Sequence, residues 1–129
     1  MNLLFKLYLE RKGLYLLGPG RMELLRTVDR LGSLKKAAQE LGMSYRWAWG
    51  RLKKTEQTLG VDLLAHDSGA ARKKGKKLTK EAHELLAWIE SIENRMEVLL
   101  EESMVERPAF LNSLPSLPEG KVSKKLPLD

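Results

Sequence analysis

The chain has 129 residues, 43% hydrophobic and 31% charged, with 23 Lys and Arg against 17 Asp and Glu and a net charge of +6. That is enough chain to bury one core, and the basic excess leans toward an anionic partner. With no cysteine and only two histidines, disulfides, thiolate metal sites and a cysteine nucleophile are excluded.

Residues 3–17 predict two short strands. Phe5, Leu7 and Leu9 alternate with Lys6, Tyr8 and Glu10, Arg11-Lys12-Gly13 reads as a turn, and Leu14-Tyr15-Leu16-Leu17 returns. Gly18-Pro19-Gly20 breaks the chain. A helix over 21–31 follows, carrying Met22, Leu25 and Val28, with Gly32 placed for a left-handed C-terminal stop. Ser33 is a natural N-cap for a helix over 34–41 that buries Leu34, Ala37, Ala38 and Leu41. Gly42-Met43 makes a tight turn. Ser44 caps a third helix running to about Leu59, and Gly60 ends it. Residues 61–65 predict a strand, 67–77 a loop, and Thr79 the cap of a last helix over 80–103.

That last helix has the clearest periodicity. Ala82, Leu85, Ile89, Ile92, Met96 and Leu99 recur at alternating spacings of three and four. This is a short a/d seam, expected to pair with the same seam of a second copy, and Leu86, Trp88 and Leu100 widen the stripe, so the helix is expected to touch both its own domain and that partner. Beyond Ser103 the pattern stops and prolines recur, so the sequence divides into a domain over 1–103, including the helix over 80–103, and an irregular or flexible tail over 104–129. The expected fold is mainly α with a small β component: a winged helix-turn-helix with an N-terminal strand pair and a long C-terminal dimerisation helix.

Charge is segregated. Residues 33–80 hold twelve basic residues against four acids, whereas 81–107 hold eight acids against Arg95 and Arg107. The basic stretch contains the helix, turn and helix from Ser33 to Leu59. In the second of these helices Ala48, Leu52, Thr55 and Leu59 form the inward stripe, and the other side shows Arg46, Gly50, Lys53 and Gln57 with Tyr45, Trp49 and Lys54 toward its edges. A helix that reads duplex needs a long donor near its N-terminus for base edges and cations further on for phosphates. Arg46 suits the first task, Ser44 a phosphate at the helix start, and Lys53 and Lys54 the second. Gly50 costs about 1 kcal/mol relative to Ala in a helix; close approach of DNA would explain it. Arg72, Lys73, Lys74, Lys76 and Lys77 lie between two strand-like pieces, the position of a wing that engages phosphates or the minor groove. The expected interface is therefore Ser44, Tyr45, Arg46, Trp49, Gly50, Lys53 and Lys54 with the five wing cations. Taken singly, outward Arg and Lys are what any solvated helix displays; the order of small residues, Gly turn, capped helix and basic loop carries the reading.

Residues 3–102 resemble the N-terminal DNA-binding domain of ModE-type molybdate-responsive transcriptional regulators, related to the winged helix-turn-helix of LysR-type regulators. The matching stretches are Gly20-Arg21-Met22-Glu23-Leu24-Leu25, Leu31-Gly32-Ser33-Leu34-Lys35-Lys36-Ala37-Ala38 and Met43-Ser44-Tyr45-Arg46-Trp47-Ala48-Trp49. The resemblance implies a strand pair, the winged motif, a dimerising long helix, and recognition positions at Ser44, Tyr45, Arg46 and Trp49. The sensor of that family is a C-terminal oxyanion-binding domain. The chain ends at Asp129, so molybdate binding is not expected, nor a small-molecule effector within this chain. Gly50 stands where the family often has an acid, and the loop is richer in Lys than usual.

The sequence thus predicts a sequence-specific, double-stranded DNA-binding transcriptional regulator, a homodimer on a roughly palindromic site, with no cofactor and no enzymatic activity. Two other readings fit the same residues: a winged scaffold that holds a protein partner through the acidic helix and tail, and a nucleoid-type protein that coats DNA without a preferred site. Glu81, His83 and Glu84 cluster on the last helix without a further partner at metal-binding spacing. No apolar run reaches the roughly 18 residues that cross a bilayer, and Met1-Asn2-Leu3-Leu4 lacks the basic start of a signal peptide; no membrane partner and a cytoplasmic location are expected.

Overall fold

The computed structural model describes residues 1–65 and 77–118. Turn chemistry sets the first element. Lys12 and Gly13 both take positive φ, 51° and 81°, as a two-residue hairpin turn requires. They join β1 (Leu9–Arg11) to β2 (Leu14–Leu17), paired antiparallel with Arg11 opposite Leu14 and Glu10 opposite Tyr15. The first strand is shorter than the alternation predicts. Phe5, Leu7 and Leu9 are partly buried and Leu4, Lys6 and Tyr8 exposed, so the alternation is real, yet residues 3–7 lie outside any strand. β2 ends at Leu17 and leaves them no backbone partner. They instead border α1 and the last helix, beside Met22, Arg26, Glu93 and Leu100.

Three helices follow. α1 (Pro19–Leu31) starts with Pro in its first turn and stops at Gly32, whose φ is 69° and whose N–H donates to the Val28 carbonyl. α2 (Leu34–Glu40) begins at Ser33, whose hydroxyl accepts the Lys36 N–H. α3 (Tyr45–Leu59) begins at Ser44, whose hydroxyl accepts the Trp47 N–H at 3.1 Å, and ends at Gly60 with φ 80°. Ala37 and Ala38 are fully buried, which lets α2 and α3 approach closely. Leu17, Leu25, Val28, Leu34, Leu52, Leu63 and Ile89 form the centre of one core. Its loss would be severe: Leu52→Ala alone costs about 2–5 kcal/mol by the general cost of emptying a packed site.

The predicted strand over 61–65 is a single bridge, Leu64 to Leu78. Ala65 N–H donates to the Lys77 carbonyl and Thr79 N–H to the Leu63 carbonyl. Its backbone is satisfied from elsewhere: the Leu63 and Leu64 N–H groups both donate to the Glu56 carboxylate, at 2.7 and 3.0 Å. Of the predicted loop over 67–77, Lys77 is described; the rest lies outside the described residues.

α4 (Lys80–Val105) is capped by the Thr79 hydroxyl, which accepts the Ala82 N–H, and runs slightly past the expected end. A 3₁₀ turn (Ala109–Ser113) then gives the start of the expected irregular tail some regular structure. α4 packs on α1, where Arg26 pairs with Glu93 and His83 Nδ1 lies 3.2 Å from Asp29. The hairpin packs on α3: Arg11 Nη1 donates to the carbonyls of Thr58 and Leu59, at the C-terminal end of that helix. A cation there also suits the negative end of the helix dipole.

Candidate nucleic-acid interface

α3 turns Ala48, Leu52, Thr55 and Glu56 inward. The opposite side is an open groove bordered by Ser44, Arg46, Trp47, Gly50, Arg51 and Lys54. A Cβ built on Gly50 meets nothing within 4 Å. Packing therefore does not demand glycine there, and the absent side chain leaves a gap between Arg46 and Lys54 that faces solvent. Tyr45, Trp47 and Trp49 are exposed large aromatics on the same helix. Lys35 and Lys36, in the first turn of α2, are exposed as well.

Two residues of this groove, Trp47 and Arg51, are absent from the interface read in the sequence. The Arg51 guanidinium lies 3.8 Å from the Trp47 ring centroid. Their spacing of four, on the flank of the helix next to β2, was available as a signal. An outward vector through Arg46, Gly50 and Lys53 leaves that flank out.

Lys53 is placed differently from its sequence role. Its ammonium is 2.9 Å from Glu56 and its side chain is mostly buried; the Trp49 ring centroid is 5.6 Å away. Burial alone would push the Glu56 carboxyl up. Hydrogen bonds from the Leu64 N–H, the Lys53 ammonium and the Leu63 N–H, together with the Lys53 charge, outweigh it and hold the group below the usual glutamate range. Lys53 is thus engaged in fixing residues 63 and 64 to α3.

On α4 the seam divides. Ala82 and Ile89 are buried in the chain's own core together with Leu86, so these two are not on a free surface. Leu85, Ile92 and Met96 are half-buried and Leu99 exposed. Trp88, 52% exposed, stands with Leu85, Ile92 and Leu99 at helical spacing on the outer side. One period does not say which of two adjacent stripes on α4 meets the core. Of the predicted wing, Lys77 is described and exposed; Arg72, Lys73, Lys74 and Lys76 lie outside the described residues.

Residues 20–83 match the family described as bacterial regulatory helix-turn-helix protein, lysR family. This stretch is a LysR-type helix-turn-helix domain. The LysR-type assignment agrees with the ModE- and LysR-like resemblance of the same segment. A curated relative, the molybdenum-pterin-binding protein MopB of Rhodobacter capsulatus, is 33% identical over 92 residues, 71% of this chain and 34% of that protein. The chain thus spans about a third of the length of this relative. Among solved structures, the CbnR_DBD–DNA complex aligns with a TM-score of 0.52 and 22% identity, over 67% of this chain and 94% of that one. The BenM_DBD/benA site 1 DNA complex aligns with a TM-score of 0.53 and 18% identity, over 68% and 96%. At these identities the likeness establishes the fold, the winged helix-turn-helix of LysR regulators, which the LysR-type domain shares. Among the described residues no helix is long and apolar enough to cross a membrane.

Proposed function

We propose that this chain is a transcriptional regulator that binds double-stranded DNA sequence-specifically as a homodimer. The observation that carries the reading is the outer groove of α3, where Arg46, Arg51 and Lys54 border a position without a side chain. α3 is the second helix of the helix-turn-helix, the element that enters the major groove in such motifs. Arg46, in the first turn, reaches base edges; Ser44 and the helix N-terminus take a phosphate; Tyr45, Trp49 and Gly50 contact the groove wall; Lys54 and Arg51 take backbone phosphates. Lys77 and the wing cations Arg72, Lys73, Lys74 and Lys76 add sequence-independent attraction. Lys53 acts indirectly, by holding Glu56.

The homodimer uses the outer stripe of α4, Leu85, Trp88, Ile92, Met96 and Leu99. Two-fold pairing repeats the reading helix and implies a roughly palindromic site. The two aligned structures, CbnR_DBD and BenM_DBD, are themselves complexes with DNA, which supports the reading. This reading keeps the protein cytoplasmic and without enzymatic activity.

Selection of bound duplexes from a random pool, at a stated salt concentration, tests it. An inverted repeat is expected; an unenriched pool bound with steep salt dependence would favour non-specific coating. On the selected site Arg46→Ala is expected to cost about 1–3 kcal/mol and to relax discrimination at one base position of each half-site. Leu99→Lys, at an exposed position, is expected to shift the chain from dimer to monomer in sedimentation while its circular dichroism stays unchanged.

A further inference from the structure

A second concavity lies on the β2 side of α3, between β2, the first turns of α1 and the Gly42–Met43 turn, with a volume of about 350 Å³. That is within the size range of small-molecule sites, about 300–1,000 Å³. Leu24 and Met43 give it apolar lining. The rest of the lining is Gly20 and two cation–aromatic pairs: Arg51 over Trp47 at 3.8 Å, and Arg21 over Tyr15 at 4.4 Å. Arg21 is 8% exposed. It is fixed by donation from Nη1 to the Leu16 carbonyl at 3.1 Å and to the Thr55 hydroxyl at 3.0 Å. Thr55 in turn donates to the same carbonyl.

The chemistry of this arrangement is specific. A guanidinium stacked face-on against a ring still points its N–H donors outward in its own plane. Arg51 is therefore held in position and remains a fork for an oxyanion, and Arg21 adds a fixed positive charge nearby. The two rings and the apolar lining suit a flat, weakly hydrated body. A bare inorganic anion would leave most of the volume unfilled, and a neutral ring would make no use of the Arg51 charge.

We propose that this concavity is a binding site for a small aromatic anion, with Arg51 holding its acidic group and Trp47 and Tyr15 flanking its ring. Nothing in the sequence pattern pointed to an effector site, because Tyr15, Arg21, Met43 and Trp47 come together only on folding. Trp47 and Arg51 also border the outer groove of α3, so occupancy would be coupled to DNA affinity. That coupling rests on the proposed function; the site itself does not.

The test is run on the full chain without DNA, by calorimetric titration with phenyl phosphate, inorganic phosphate and benzyl alcohol. Phenyl phosphate is expected to bind at least about tenfold tighter than either half, and Arg51→Gln and Trp47→Leu each to weaken it about tenfold, the first through one lost charge-assisted contact and the second through lost ring contact. In the unaltered chain, NMR shifts are expected to map to Tyr15, Met43 and Trp47. Equal affinity for inorganic phosphate, no binding of phenyl phosphate, unchanged affinity in both variants, or shifts confined to Arg46, Gly50 and Lys54 would each overturn the proposal.

Discussion

The two flanks of α3 carry the same kinds of residue and do different things with them. On one, Lys53 lies near Trp49; on the other, Arg51 stacks on Trp47. Lys53 is drawn under the helix by Glu56, which simultaneously accepts two backbone N–H groups from residues 63 and 64. Arg51 meets an aromatic face and borders an open groove. The flank that adjoins the bridged segment has spent its cation on architecture; the flank that adjoins the hairpin offers its cation to a ligand. Net charge counted along a helix is therefore a poor measure of the charge it presents, because one buried carboxylate changes what a neighbouring lysine can reach.

The largest effect should come from breaking the first flank at its centre. Glu56→Ala removes the acceptor of the Leu63 and Leu64 amides and the partner of Lys53, and is expected to lower stability by about 2–3 kcal/mol, read as a drop in the denaturation midpoint. If the variant melts like the parent, the carboxylate is not holding that segment. A paired substitution then separates the flanks. Arg51→Ala is expected to flatten the salt dependence of DNA binding by about 0.9 in log–log slope, the value of one phosphate contact. Lys53→Ala is expected to leave the slope unchanged and to lower stability. Equal slopes for both variants would erase the distinction.

The smallest effect is on pH. Glu56 has a folded pKa below its unfolded one, so its contribution to stability is fully present above the ordinary glutamate range. It is lost as pH falls from there through the lower folded value. The parent is expected to lose stability across that acid window, and Glu56→Gln to lose less. A parallel loss in both would assign the acid sensitivity to other carboxylates.

Most of the fold was legible because local chemistry announces its own boundaries. Ser33, Ser44 and Thr79 cap their helices through their hydroxyls, and Gly32 and Gly60 close two of them with positive φ. Each of these depends on a residue and its neighbours within one turn. The misreadings share an opposite origin. The strand at 61–65 shrank to a bridge because its amides found a carboxylate seven and eight residues earlier. Residues 3–7 alternate like a strand but settle against side chains of α1 and α4. Lys53 looked like Lys54 until Glu56 folded beneath it, and Ala82 and Ile89 fell to the core side of a stripe broad enough to serve two surfaces. For residues 3–7 and for Ala82 and Ile89 the deciding contact is tertiary; Lys53 and Glu56 are three residues apart on one helix, and what one turn does not show there is the pair of amides at 63 and 64 that the carboxylate also holds.

The donation from Arg11 to the last carbonyls of α3 has a bearing on how such domains are trimmed. The LysR-type match begins at residue 20, beyond the hairpin, whereas the C-terminal end of α3 is moored by a side chain from residue 11. A fragment cut to the shared boundary would retain the three helices and lose the strut that sets how the third one is aimed. The hairpin is in this sense a mooring: a side chain that precedes the shared boundary fixes the far end of the third helix.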